Sequence, residues 1–330
     1  MNETEFKQHL EEIDLKESLI EEILTQLSDF EGFLSKEKHD LTSFPLNRII
    51  QFSEHLVSKD PDEVLGFLRA LIRYANYSKR NEIITKVIDI SESYNAMENL
   101  YLRIAKYYGE LIRDHIFEGI TVPPLGVDPE SKPAFTKVIL KRIKESLGEE
   151  KTIDLLSPCL HGRPPDDIEG DRRLLEELGI DGFLNKKHKE LIKRLEKHKD
   201  EGTLEFAQKI DDQILQYVKK NQKIGIGTRK GGIIYVSKIP YQMRAFLDAT
   251  DEKMKRFFIC YCPWIRGAIK NGSEKEITDN FCHCSAGWYK LYWDQIFGQA
   301  VKVEPIKTAL IGSYECTFKV HIPENIKYSD

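Results

Sequence analysis

Residues 223–240 read KIGIGTRKGGIIYVSKIP, and this stretch decides the fold class because it carries the first strand pattern in the chain. Two segments rich in β-branched residues flank a turn at Arg229-Lys230-Gly231-Gly232. Such segments joined by a glycine-containing turn are typical of a β-hairpin. A dinucleotide-binding glycine loop would open a helix, whereas these glycines lead into a strand. The stretch therefore predicts a hairpin and not a phosphate-binding loop.

The remainder of the C-terminal region mixes helix and strand patterns. Strands that lie close together in sequence favour an antiparallel sheet with helices on one face. The two last strands are predicted to pair across Gly312-Ser313. The predicted elements are a short helix over 241–249, a strand over 255–264, a helix over 286–298, and strands over 300–312 and 314–323.

The N-terminal region is predicted to be all helical. Apolar residues recur at helical spacing through four or five segments before residue 118, and no strand pattern interrupts them. Residues 118–133, EGITVPPLGVDPESKP, are rich in proline and glycine and favour a domain boundary. The chain is therefore predicted to be an α+β protein, with a helical bundle domain at 1–120, a linker at 121–133 and an α+β domain at 134–330.

Charge and composition limit the classes of binding partner and the cellular compartment that we expect for this chain. The chain has 330 residues and a formal net charge of −5, which gives no overall electrostatic reason to bind nucleic acid or an anionic membrane. No apolar run is long enough to span a bilayer, and the acidic N-terminus does not resemble a secretory signal. We therefore expect a cytoplasmic protein, in which clustered cysteines are metal ligands or reactive thiols before they are disulfides.

Four of the six cysteines form two Cys-x-Cys pairs. On the predicted strand, Cys260 and Cys262 point to the same side. Cys282 and Cys284 precede the predicted helix, whose N-terminus favours the thiolate form. The four sulfurs are candidates for a tetrahedral zinc site, while a buried cysteine acting as a small apolar side chain is the alternative for each one alone. His283 is expected to point away from its two neighbours.

A further cysteine lies in SPCLHGRPP, residues 157–165, where Gly162 and two prolines mark the end of a helix. Cys159 and His161 are a candidate thiol–imidazole pair if another catalytic group approaches them. Cys284 is the other candidate nucleophile, with His283 or His161 as the nearby base.

The run from residue 282 to 320 follows a recognisable order. A cysteine precedes a helix opened by Ala-Gly-aromatic, a glycine closes that helix, a strand ends in glutamate, and a cysteine lies in the last hairpin. The corresponding residues are Cys282, Ala286-Gly287-Trp288, Gly298, Val301-Lys302-Val303-Glu304, and Gly312 leading to Cys316-Thr317-Phe318-Lys319-Val320. In this order and spacing the run resembles the end of the 4-vinyl reductase domain.

The resemblance implies an α+β domain that binds a small molecule. In some members of the family a structural zinc ion stabilises this domain. Carried over residue by residue, it implies Cys282, Glu304 and Cys316 as zinc ligands. Lys307 stands where the family has a further cysteine. Cys284 or Cys262 would then replace the missing ligand, which would account for the doubled cysteines.

Three functions stay open. The first is a metal-stapled protein that binds or senses a small molecule, with Trp264, Trp288 and Trp293 as pocket walls or as core residues. A weaker similarity to L-2-amino-thiazoline-4-carboxylate hydrolase-like proteins implies a cysteine- or zinc-dependent hydrolase. An iron–sulfur protein built on the same cysteines is the third. The predicted partners are a small-molecule ligand and, as one option, a second copy of the chain in a homodimer.

Overall fold

The computed structural model describes residues 2–163, 167–205 and 208–326. The described residues form helices and two small antiparallel sheets, and the strands all lie after residue 203. This confirms the predicted α+β class and the helical N-terminal region. The chain forms two compact units. The first unit contains residues 1–94 and 123–132, and the second contains residues 95–122 and 133–330. None of the described helices combines the length and the apolar character needed to cross a membrane.

This division differs from the predicted boundaries at residues 120 and 134. Residues 95–122 belong to the second unit because Met97 and its helical neighbours are buried in the core of that unit. Most of the predicted linker returns to the first unit, where Leu125 packs against the core and Gly126 approaches the side chain of Val64. Proline and glycine content predicts where helices end, but the burial of a few apolar residues decides which unit a segment joins.

The described residues of the first unit form helices joined by loops, and an isolated β-bridge links Asp40 and Ser43. Phe30, Phe52 and Phe67 form the centre of its core, with ring centroids 4.8 to 5.2 Å apart. The described chain before residue 118 forms seven helices where four or five were predicted, since left-handed residues at Asp14 and Gly109 interrupt the helical pattern. The helices of the first unit are α1 (Glu3–Glu12), α2 (Glu17–Ser35), α3 (Asn47–Lys59), α4 (Glu63–Ser78) and α5 (Asn81–Ser91).

The second unit contains both sheets and most of the helices. The longest helix, α10, contains a break at Gly179, whose φ is 65°. Its helices are α6 (Ala96–Tyr108), α7 (Glu110–Phe117), α8 (Lys132–Leu147), α9 (Glu149–Leu156), α10 (Ile168–Glu201), α11 (Asp212–Lys220), α12 (Met243–Asp248), α13 (Glu252–Ile259), α14 (Arg266–Asn271) and α15 (His283–Phe297).

The main sheet has four antiparallel strands in the order β3-β4-β6-β5. The predicted hairpin and the predicted pairing of the last two strands are both confirmed. Ile234 pairs with Val320 and Val236 pairs with Phe318, and helix α15 packs its apolar residues into the same cluster. The strands are β1 (Leu204–Glu205), β2 (Gln208–Lys209), β3 (Thr228–Lys230), β4 (Ile233–Ser237), β5 (Val303–Lys307) and β6 (Thr317–His321).

The strand predicted over 255–264 is wrong. Residues Glu252–Ile259 form helix α13, whose first turn is capped by Asp251 through a 2.7 Å bond from the Met254 nitrogen. Cys260 and Cys262 lie after this helix and outside any strand, so alternation along a strand does not orient their thiols. A short apolar run fits a buried helix and a buried strand equally well. Asp251, a residue type that commonly caps helices, is the signal that favours the helix.

Helix α15 also begins earlier than predicted. A 3-10 turn over Asp279–Cys282 leads directly into it, so the helix starts at His283 and not near Ala286. Cys284 is therefore inside the first helical turn. The orientation expected for His283 from strand alternation does not apply, because His283 is itself helical.

Candidate metal and thiol site

Cys159, His161 and Cys284 come together from two distant parts of the chain. One ligand atom from each, two sulfurs and an imidazole nitrogen, all lie within 4.8 Å of one another. The Cys284 sulfur is 3.8 Å from His161 Nδ1. Both cysteines are buried and the histidine is half-buried. Cysteine sulfur and histidine nitrogen are common metal ligands, so these three side chains can hold a metal ion.

Helix α6 holds the turn that carries Cys159. Arg103 donates to the main-chain oxygens of Leu155 at 2.8 Å, Pro158 at 2.6 Å and Cys159 at 3.0 Å. Asn99, one helical turn earlier in α6, donates to the main-chain oxygen of Leu160 at 2.6 Å. Hydrogen bonds from a charged donor are among the stronger ones in proteins. The path of the main chain past Cys159 is thereby fixed from one side.

Helix α15 fixes the other side. Cys284 accepts a hydrogen bond from the main-chain nitrogen of Leu160 at 3.3 Å. One turn later, Gly287 lies directly against the main chain of Ser157 and Cys159, and no side chain fits between them. The first turn of a helix favours negative charge, but at Cys284 the neighbouring Cys159 and burial outweigh this effect.

The two sulfurs share their protons unequally. A hydrogen bond from the Cys284 thiol lowers the pKa of Cys159 to about 4, and His161 lowers it further against the opposing effect of burial. The pKa of Cys284 is raised because this thiol keeps the proton that it donates to Cys159 and because it is buried. Two thiols in such contact titrate as a pair, so the pair carries one negative charge near neutral pH.

Arg103 places a positive charge beside this pair. Burial lowers the pKa of the Arg103 guanidinium, while the charges of Cys284, Tyr107 and Cys159 act in the opposite direction. Arginine stays protonated even when it is partly buried. The same side chain therefore positions the turn and offsets the negative charge of the sulfurs.

Aromatic rings support the histidine. The His161 ring stacks on Trp288 with centroids 5.7 Å apart and planes inclined by 27°. The Arg163 guanidinium lies over the rings of Trp288 and Tyr292 and donates to the Trp288 main-chain oxygen at 3.2 Å. Trp288, one of the three predicted pocket residues, thus contacts the site through His161.

The other two predicted pocket residues are core residues. Trp264 and Trp293 are 0% and 1% exposed. Trp264 packs beside Phe135 and Trp293 packs beside Phe297. Their packing corresponds to the alternative interpretation that the sequence left open, namely that these rings fill the hydrophobic core.

The remaining four cysteines belong to or pack against the same hydrophobic core as Cys159 and Cys284, and none of the six cysteines is in a disulfide. Burial raises the pKa values of Cys260, Cys282 and Cys316, and the charges of neighbouring cysteines act in the same direction on the first two. Among the described residues these four do not form a second group at ligand separation. Near neutral pH Cys260, Cys282 and Cys316 are protonated thiols.

Lys238 lies beside these thiols. Its main-chain nitrogen donates to the Cys316 oxygen at 3.0 Å, and its ammonium group donates to Ser285 Oγ at 3.2 Å. The ammonium charge lowers the pKa values of Cys282 and Cys316, although burial outweighs it. Ser285 follows Cys284 in helix α15. Lys238 therefore bonds both to the residue next to Cys284 and to the main chain of Cys316.

Glu304 has other partners than the cysteines. Its carboxylate lies 2.7 Å from His321 Nε2 and 2.8 Å from the Lys302 ammonium, which together lower its pKa. Lys307, at the position where the 4-vinyl reductase pattern has a cysteine, is paired with Glu315. Within the described part of the chain, the ligand set implied by that resemblance does not meet, and the triad does.

The second unit contains a cavity of about 290 Å³. Ile259 and Glu315 are in its wall and adjoin Cys260 and Cys316 in sequence. The wall also contains polar and aromatic side chains, and none of the three predicted tryptophans belongs to it. Lining residues include Tyr217, Lys220, Lys223, Lys238 and Tyr314.

Sequence reasoning identified all three residues of the triad but did not join them. The sequence pairs Cys159 with His161 and offers His283 or His161 as a base for Cys284, but it does not predict that all three meet in one site. Arg103 and Asn99 were missed, because a polar residue on an amphipathic helix carries no local mark of a distant partner. Gly287 was the available signal, since a glycine inside a helix often marks a close main-chain approach.

Comparisons of the chain with models of protein families, with curated proteins and with solved structures found no match. The resemblance to the 4-vinyl reductase domain therefore rests on residues 282–320 of the sequence alone. The chemistry of the site has to be argued from its own residues.

Proposed function

We propose that the second unit binds zinc through Cys159, His161 and Cys284 and uses the remaining coordination position to bind a small molecule. The convergence of these three ligand atoms within 4.8 Å carries the proposal. Two thiolates and an imidazole are a donor set that suits zinc. Six cysteines without a disulfide suit the reducing cytoplasm that the sequence predicts.

Among the described residues this site has three protein ligands, whereas a structural zinc site is closed by four. When zinc is bound with an open position, it supplies a Lewis acid that polarises a ligand or lowers the pKa of water. The protein side chains do the positioning. Arg103 and Asn99 fix the turn that carries Cys159, and Trp288 supports the plane of His161.

The ligand would approach from the side of His161. The two sulfurs are buried and the imidazole is half-buried, so solvent reaches the site past the histidine. The Trp288 ring lies on this side, where it stacks on His161 and has the Arg163 guanidinium over its ring. An apolar or aromatic small molecule at the open coordination position would contact the part of this ring that those two side chains leave uncovered.

Metal analysis of protein purified anaerobically tests the proposal. We expect about one zinc per chain in the wild type, and loss of zinc in C159S, H161A and C284S. The matched cysteine variant is C316S, which removes a ligand of the set implied by the resemblance but no member of the triad. Zinc that is lost in C316S and kept in C159S would contradict the proposed site, as would wild-type protein without stoichiometric metal. Visible colour with bound iron would instead indicate an iron–sulfur protein.

The lowered pKa of Cys159 beside His161 favours a second candidate, a cysteine-dependent hydrolase. Such an enzyme would react with the general acyl probe p-nitrophenyl acetate and release nitrophenol in a burst. The burst should survive removal of metal by a chelator and disappear in C159S. A wild-type rate no higher than that of C159S would exclude this candidate for acyl transfer.

A further inference from the structure

We propose that hydroperoxide converts Cys159 and Cys284 into an intramolecular disulfide, and that this oxidation removes two of the three metal ligands. The formation of the disulfide depends only on the positions of the two sulfurs. The release of metal rests on the proposed function. The site is thus an oxidation site as well as a candidate metal site.

The two sulfurs already lie close enough for this chemistry. They are free thiols within 4.8 Å of each other, whereas a disulfide requires a separation of about 2 Å. The main chains around them are in contact, because a β-carbon on Gly287 would lie 2.5 Å from the Cys159 nitrogen. Rotation about the side-chain bonds, and not a movement of whole elements, has to close the remaining gap.

The reaction balances with hydrogen peroxide, the simplest hydroperoxide, as the oxidant. One thiolate attacks a peroxide oxygen, breaks the O–O bond and becomes a sulfenic acid, and the leaving hydroxide takes a proton to form water. The second sulfur attacks the sulfenic sulfur, forms the S–S bond and expels the hydroxide, which becomes a second water. In total, two thiols lose two electrons and two protons. The peroxide gains these electrons and protons and becomes two waters.

The surroundings assign the two roles. His161 is the half-buried residue of the triad and is two residues from Cys159, so we infer that the oxidant enters on the side of the 159–161 turn. Cys284 lies inside the first turn of helix α15 and accepts a hydrogen bond from the Leu160 nitrogen, so its sulfur is held in place by the main chain. We therefore assign Cys159 as the sulfur that meets the peroxide and Cys284 as the resolving sulfur.

The test begins with reduced, metal-free protein treated with about one equivalent of hydrogen peroxide. We expect the mass to fall by two hydrogens, the titratable thiols to fall by two, and a non-reducing digest to contain a peptide joining Cys159 to Cys284. C159S and C284S should form no cross-link. The matched variant C262S should form it as the wild type does.

A cross-link that joins any other pair would overturn the proposal, and so would a sulfinic acid at Cys159 without a cross-link. The second readout uses zinc-loaded protein, in which metal release should keep pace with the cross-link. Protein that forms the disulfide but never binds zinc would refute the proposed function and leave the oxidation site standing. Zinc-binding protein that resists cross-linking would refute the oxidation site alone.

Discussion

Gly287 and Cys159 touch through their main chains: a β-carbon built on Gly287 would lie 2.5 Å from the Cys159 nitrogen and closer still to the Ser157 oxygen. Real β-carbons do not approach other atoms this closely. The absence of a side chain at Gly287 is therefore what lets helix α15 bring Cys284 against the turn that carries Cys159.

The first prediction follows from this contact. G287A should push helix α15 away from the turn, lower the stability by about 1–3 kcal/mol as other overpacked sites do, and abolish stoichiometric zinc binding. Urea denaturation and metal analysis of the same preparation measure both effects. The matched variant is G32A, because Gly32 is also helical but has open space around its α-carbon. G32A should gain about 0.5–1 kcal/mol and keep its zinc, and equal losses in both variants would contradict the interpretation.

Arg103 leads to the second prediction. R103K retains the charge but loses the planar fork that bonds three main-chain oxygens, so the turn should loosen and the zinc affinity should fall about 10- to 100-fold. Competition with a chelating dye measures the affinity. R113K is the control, since Arg113 pairs with the exposed Asp114 and should have no effect on zinc. If R103K binds zinc as tightly as R113K, helix α6 does not position the site.

The sequence predicted the architecture of the second unit where patterns are local. The hairpin at Gly231, the helix that ends at Gly298 and the pairing of the last strands each depend on neighbouring residues, and each is confirmed. The strand expected at Cys260 is wrong because a short apolar run does not distinguish a buried strand from a buried helix. The cap at Asp251 would have decided the matter.

The composition of the site was predictable, but its grouping was not. Cys159, His161 and Cys284 are all residue types that ligate metals, and their spacing in sequence says nothing about their distance in space. Their meeting depends on Gly287 and on the bonds from Arg103, which are long-range packing relations. One sequence alone contains no pairwise information of that kind.

The third prediction concerns pH. The folded pKa of Cys159 is depressed to about 4, whereas an unfolded thiol has a pKa of about 8.5. Between these values the unfolded chain binds more protons than the folded chain, so the stability of the metal-free protein should rise with pH across this window. The contribution is fully present above the unfolded pKa and is lost as the pH falls through the folded value.

Urea denaturation of chelator-treated protein at several pH values checks this slope. The difference in unfolding free energy between the wild type and C159S should widen as the pH rises within the window. C316S provides the contrast, because burial raises the pKa of Cys316 and its linkage should act only at alkaline pH. Parallel curves for the wild type and C159S would show that Cys159 is an ordinary thiol.

The fourth prediction separates a tryptophan that serves the site from one that serves the core. Trp288 is half-buried and stacks on His161, so W288A should reduce zinc affinity about tenfold with little change in global stability. Trp293 is 1% exposed among Phe183, Tyr292 and Phe297, so W293A should cost about 3–5 kcal/mol. Denaturation curves together with zinc titrations of the folded fraction distinguish the two effects. The opposite outcome is a W288A protein that loses as much stability as W293A and whose folded fraction binds zinc normally. That result would show that Trp288 serves the packing of the core and does not support His161.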